Sequence, residues 1–149
     1  METKNKNKKK YFLILILAIF ITAIIAYIVV NLPKEVAQAN NAKRKQDIIL
    51  IINALHKYTS AHRGQLPADI IPDKITEIST YGADICSALV PHYISALPID
   101  PTIKNTIDDI SNCNYNYTSG YYLLISKDSK QIKIIAEQSE LNEQISLSD

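Results

Sequence analysis

Residues 11–30, YFLILILAIFITAIIAYIVV, hold no charged side chain and only Thr22 outside the hydrophobic class, so any helix they form is apolar all round. About 20 such residues match the roughly 30 Å hydrocarbon thickness of a bilayer. The fourteen Ile, Leu, Phe and Val residues each contribute roughly −0.3 to −0.6 kcal/mol, giving on the order of −4 to −8 kcal/mol in favour of insertion. After Pro33 the pattern changes. KEVAQANNAKRKQ is polar, and DIILIINALHKYTSAH then places Ile48, Ile51, Ile52, Leu55, Tyr58 and Thr59 at helical spacing. Five consecutive aliphatics at 48–52 make that turn apolar nearly all round, so it should be covered on more than one side. A flexible tether over 31–45, broken at Asn40-Asn41, is the alternative to a continuous helix kinked at Pro33.

Gly64 and Pro67 predict the end of this helix, because glycine suits the left-handed cap and proline cannot continue the hydrogen-bond ladder. Residues 65–82 look irregular. Asp84 can cap a short helix with an inner face of Ile85, Leu89 and Tyr93, limited by Pro91 and Pro98. SGYYLLIS and QIKIIAE are β-prone runs joined by Lys127-Asp128-Ser129-Lys130, which predicts an antiparallel hairpin. Ile132 and Ile134 alternate with Lys133, so one face of it should cover the helix. The predicted fold class is α+β, a long N-terminal transmembrane and amphipathic helix packed on a small antiparallel sheet.

Charge divides the chain further. Residues 1–10 carry five lysines and one glutamate, a net +4, which leaves −3 on the rest of a chain whose total is +1. The predicted organisation is a basic cytoplasmic tail at 1–10, a transmembrane helix at 11–32, and a stem and amphipathic helix at 33–63. An external head with its C-terminal hairpin follows at 64–136, then a flexible acidic tail at 137–149. The tail has four acids and no base. Lysines on both sides of the apolar run favour a cytoplasmic amino terminus only modestly. A cleaved secretory signal is the competing reading, but its apolar core would be 7 to 15 residues with a small-x-small site, which is not evident before Pro33. Ala18, Thr22 and Ala26, four apart, give the membrane helix a small-residue face on which another helix could pack. With near-neutral total charge there is no reason to expect nucleic-acid binding.

A helix that is half anchor and half scaffold, followed by a small sheet, resembles type IV pilins and the major pseudopilin of type II secretion. Phe12 and Pro33 stand at the separation between that family's first mature phenylalanine and its proline kink. Ala54-Leu55-x-x-Tyr58 leading to Gly64-x-Leu66-Pro67 looks like its signature at the end of the long helix. Leu89-Val90-Pro91-x-Tyr93-Ile94 and Leu97-Pro98-x-Asp100-Pro101 look like the next. The resemblance covers most of residues 12–136. Two positions depart from it. Family precursors are cut after a glycine that here is Tyr11, and a glutamate expected four residues beyond the phenylalanine is Ile16. The losses are coupled, since an uncut chain has no terminal ammonium to partner a carboxylate in the bilayer, where the unpaired charge costs about 2 to 4 kcal/mol. This implies an unprocessed, permanently anchored relative and puts filament assembly in question.

Cys86 and Cys113 are the only cysteines, and an even count on an external domain predicts one disulfide, with two unpaired thiols as the alternative. His56 and His62 are six apart and fall on different helix faces, so they lack the i, i+4 pairing that grips zinc. The resemblance implies calcium in a late loop, for which Asp100, Asp108 and Asp109 are the available acids, but without ligand spacing they read as solvated turn acids. Lys43, Arg44 and Lys45 read as a solvated helix face, with anionic lipid or a neighbouring subunit's acids as the alternative. Tyr115, Tyr117, Tyr121 and Tyr122 read as half-buried strand positions, although tyrosine at this density also suits a binding surface. No Walker loop, GxGxxG, GxSxG or nucleophile with a base is present. The expectation is a non-enzymatic, single-pass membrane protein with no cofactor. Its partners are the lipid bilayer and other pilin-like subunits or itself. The alternative is a non-polymerising, membrane-tethered extracytoplasmic binding module of the same fold.

Overall fold

The computed structural model describes residues 2–103, 109–128 and 130–148, with side chains from Lys10 onward. Helix α1 (Glu2–Ala61) includes Pro33 and continues through Asn40 and Asn41, so neither the flexible tether nor a break at the asparagines is present. The chain divides into two compact units, Met1–Ala37 and Gln38–Asp149.

The first unit is helical throughout its described residues and holds the stretch long and apolar enough to cross a membrane. None of its most apolar window is buried inside the protein. A core helix of a soluble domain would be mostly covered, whereas Phe12, Phe20, Ile24 and Tyr27 all stand exposed. Two of its polar side chains turn back on the helix: the Thr22 hydroxyl donates to the Ile19 carbonyl at 2.9 Å, and the Asn31 amide donates to the Tyr27 carbonyl at 2.8 Å.

The second unit is a small α+β head built on the outer part of α1. A four-stranded antiparallel sheet has the order β1-β4-β5-β6, from β1 (Thr76–Ser79), β4 (Thr118–Ile125), β5 (Ile132–Ala136) and β6 (Ile145–Ser148). A short helix α2 (Cys86–Leu89) and a two-stranded pair, β2 (Leu97–Pro98) with β3 (Asp109–Ile110), complete it. The expected hairpin is β4 with β5. Tyr121 pairs with Ala136, Leu123 with Ile134 and Ile125 with Ile132, and all six are buried, so alternation places one apolar face against the core. That face meets Ile48, Ile51, Ile52, Ala54 and Leu55 of α1, with Tyr58 partly buried at its edge.

Arg63 and Gly64 take left-handed conformations, with φ of 57° and 80°, and the Gly64 amide reaches the Thr59 carbonyl at 2.7 Å, which terminates α1 as anticipated. Three expectations need correction. Residues 65–82 are not wholly irregular, because β1 adds to the edge of β4. Residue 85, rather than Asp84, is the cap of α2, although the Asp84 carboxylate accepts the Cys86 amide at 3.3 Å. The described part of 137–149 is not a loose tail. Ile145 is buried, and β6 pairs with β5 from Lys133↔Ser148 to Ala136↔Ile145, because β5 would otherwise be an open sheet edge.

Candidate functional site

The helix stretch from Asn40 to Tyr58 carries polar and apolar contacts that fasten the head to α1, and it divides accordingly into two parts. In the polar part, Arg44 is fully buried. Its Nε donates to Asp100 Oδ2 at 2.7 Å, Nη2 to Asp100 Oδ1 at 3.0 Å, and Nη1 to Asn41 Oδ1 at 2.8 Å and Glu140 Oε2 at 2.9 Å. This fork geometry is what a guanidinium offers and an ammonium does not. The other lone pairs are also used. Thr102 donates its amide and its hydroxyl to Asp100 Oδ1, at 2.9 and 2.6 Å. Asn40 donates to Glu140 Oε2 at 2.9 Å, while Asn41 and the Glu140 backbone exchange two bonds of 2.8 and 3.0 Å.

Burial alone would raise the Asp100 carboxyl, but the hydrogen bonds from Arg44 and Thr102 outweigh it and hold the group below the usual carboxylate range. Burial likewise opposes the charge on Arg44, and its bonds to Asp100 and Glu140 more than compensate. Hydrogen bonds from Arg44 and Asn40 draw the Glu140 carboxyl down as well. One turn further along, Asp47 is buried and accepts Lys43 Nζ at 3.0 Å and the Tyr121 hydroxyl at 2.7 Å. Burial, with the bond to Asp47 and its charge, pushes that phenol far above its ordinary value.

These contacts overturn two expectations. Arg44 is not part of a solvated face, although Lys45 is exposed and pairs with Glu143 at 3.0 Å. Asp100 is not a solvated turn acid. Its oxygens are occupied by Arg44 and Thr102, Asp109 is exposed on β3, and Asp108 lies outside the described residues. Among the described residues no group of three or more His, Cys, Asp or Glu side chains is placed to hold a metal ion.

In the apolar part the sheet covers Ile48, Ile51 and Ile52, but Ile49 and Leu50 remain 47% and 50% exposed. The expected cover on more than one side is therefore incomplete. Five successive residues circle more than a full turn, and a single sheet layer reaches only one side of it. The uncovered side adjoins a groove of about 290 Å³ lined by Lys45, Ile48, Ile49 and residues 144–147, which include the outer strand β6.

Cys86 and Cys113 form the anticipated disulfide, with Cα atoms 5.6 Å apart. Closing this loop stabilises the head by roughly 3 to 4 kcal/mol by loop-closure entropy. The histidines are separate in role: His62 stacks on Tyr58 at 3.9 Å between ring centroids, His92 is exposed, and His56 lies half-buried on another part of α1. Ala18, Thr22 and Ala26 are exposed on the apolar helix. Sequence reasoning missed Asn41, Arg44, Asp47 and Glu140 as tertiary partners. The available signal was an Asn-Asn-x-x-Arg-x-x-Asp spacing, which aligns those side chains on one helix face that the predicted sheet had to meet. Comparisons with protein-family models, with curated proteins and with solved structures find no match to this chain.

Proposed function

We propose that the protein is a membrane-anchored, pseudopilin-like structural subunit of a type II secretion or type IV pilus-like apparatus, with a cytoplasmic amino terminus and an extracytoplasmic head. The observation that carries the reading is the aliphatic side of α1 at Ile49 and Leu50, left half-exposed on a helix whose other side is fully packed. Exposing two large aliphatics beside a further apolar groove is costly in water and is relieved when another helix-bearing subunit packs there. The apolar helix supports anchoring, the lysine-rich first ten residues support the orientation, and the Cys86–Cys113 bond fits an oxidising compartment.

The test uses added thiols in the full chain in native membranes, since both natural cysteines are already bonded. Oxidation of Ile49→Cys or Leu50→Cys should give a cross-linked species that contains this chain, whereas Lys127→Cys on the hairpin turn should not. Equal cross-linking from all three positions, or none from 49 and 50, rejects the reading. Mass measurement of the mature amino terminus then separates entry after cleavage before Phe12 from permanent anchoring through the basic segment.

A further inference from the structure

At the side of the head formed by β1 and the start of β4, two loops are fastened together before they display anything. The disulfide joins Cys86 to Cys113. The Thr80 amide donates to the Tyr117 carbonyl at 3.1 Å, and the Tyr117 amide returns a bond to Thr80 Oγ1 at 2.9 Å. The Tyr117 hydroxyl donates to Asp84 at 2.8 Å, and Asn116 Nδ2 donates to the Tyr81 hydroxyl at 2.7 Å. Gly82 permits the turn, since a Cβ there would stand 2.2 Å from the Glu77 carbonyl oxygen. This braced pair of loops holds up Tyr81, 85% exposed, and Tyr115, 73% exposed. They are the most exposed large apolar side chains among the described residues of the head. Below Tyr81 lies an open groove of about 420 Å³ lined by Glu77, Ser79, Tyr81, Asn116, Tyr117 and Thr118.

We propose that this groove binds a neutral oligosaccharide, with the Tyr81 ring as the stacking platform and Asn116, Ser79 and the Tyr81 hydroxyl as partners for sugar hydroxyls. A pyranose ring presents an apolar C–H face and a rim of hydroxyl groups, which is the complement of an aromatic face beside amide and hydroxyl groups. The groove has no lysine, arginine or histidine in its lining, so it offers no positive charge to an anion. Its one carboxylate, Glu77, accepts the Thr118 hydroxyl and adds only negative charge, which disfavours an anionic ligand further. The volume lies within the range of small-molecule clefts, about 300 to 1,000 Å³. Bonding Tyr81 through Asn116 fixes the ring in advance, so little side-chain entropy is lost when a ligand stacks on it. The Asn116 bond uses the phenol oxygen as acceptor, which leaves the phenol hydrogen to donate to a sugar hydroxyl. This property is independent of whether the protein enters a larger assembly.

The experiment presents maltotetraose, cellotetraose, chitotetraose and mannotetraose to the full chain in lipid nanodiscs, with saturation-transfer NMR and calorimetry as readouts. At least one should bind, with saturation transfer from tyrosine ring protons. Tyr81→Ala should weaken binding about tenfold, and Tyr81→Phe, which keeps the platform and loses the phenol, about fivefold. Thermal unfolding of each variant should stay near that of the parent, because the Tyr81 ring is exposed and the disulfide and the Thr80–Tyr117 bonds still join the loops. Absence of binding by all four sugars at millimolar concentration overturns the proposal. So does binding that Tyr81→Ala leaves unchanged, or recognition confined to an anionic glycan or a peptide.

Discussion

Two stretches of helix α1 satisfy their polar side chains in opposite ways. Between Tyr11 and Leu32, Thr22 and Asn31 bond carbonyls three and four residues back on their own helix. Between Asn40 and Asp47, the asparagines, Arg44 and Asp47 bond Asp100, Tyr121 and Glu140, groups 56 to 100 positions away. A helix that faces hydrocarbon has no outside partner to offer a polar group, so local closure is the low-energy solution. A helix that supports a folded head can use buried polar groups to select one register of sheet on helix, at the cost of making every partner obligatory. Composition distinguishes the stretches only crudely. What separates them physically is that the second stretch, beside local bonds such as Lys43 to Asp47, also sends hydrogen bonds to groups remote in sequence.

The strongest way to break this contrast is Arg44→Leu, which strands the buried Asp100. It should lower the stability of the head by about 3 to 5 kcal/mol, measured by chemical unfolding. Arg44→Leu with Asp100→Leu should recover most of the loss. A double variant no more stable than the single one would show that the pair does not act as a unit.

Acid should have a smaller effect through the same groups. The Asp100 and Glu140 carboxyls sit below their ordinary values in the folded head. The stability they lend is complete above the unfolded carboxylate value, about pH 4, and disappears as pH falls through the lower folded values. The denaturation midpoint should therefore hold from pH 7 to about pH 5 and drop below about pH 4, and the Arg44→Leu, Asp100→Leu variant should show a flatter profile. An unchanged slope in that variant would assign the acid sensitivity to other groups.

Finer comparison comes from two hydroxyl deletions. Tyr121→Phe leaves Asp47 with Lys43 but removes a buried donor, and should cost about 1 to 2 kcal/mol in the head. Thr22→Ala removes a hydroxyl bonded only to its own helix, and should leave carbonate-resistant membrane retention and head stability unchanged. Equal effects from the two would erase the distinction between the stretches.

The elements that rest on periodicity were legible: the apolar helix, the core face from Ile48 to Leu55, the hairpin with its inward Ile132 and Ile134, and the pairing of the two cysteines. The missed features rest on partners remote in sequence. Arg44 beside two lysines reads as solvated because charge is normally exposed, and only the positions of Asp100 and Glu140 make its burial affordable. Strand β6, four residues reading Ile-Ser-Leu-Ser, has too short an alternation to declare itself and exists because β5 needs an edge partner. β1 is equally short and lies among residues rich in proline and aspartate, so its pairing with β4 decides its conformation. Tyr81 carries no periodic signal at all. Its exposure follows from a turn whose shape depends on Gly82 and on bonds to the loop around Asn116.

Glu140 joins Arg44 across 96 positions, and this has a bearing on biogenesis. While the polypeptide is being made, helix α1 emerges before the strands that cover it. Arg44 then waits, hydrated, until the nascent chain has delivered both Asp100 and, much later, Glu140. Closure of the head is thus timed to the arrival of Glu140 and β6. A product stalled short of them would present an open sheet margin and an unsheltered ion pair to quality-control proteases.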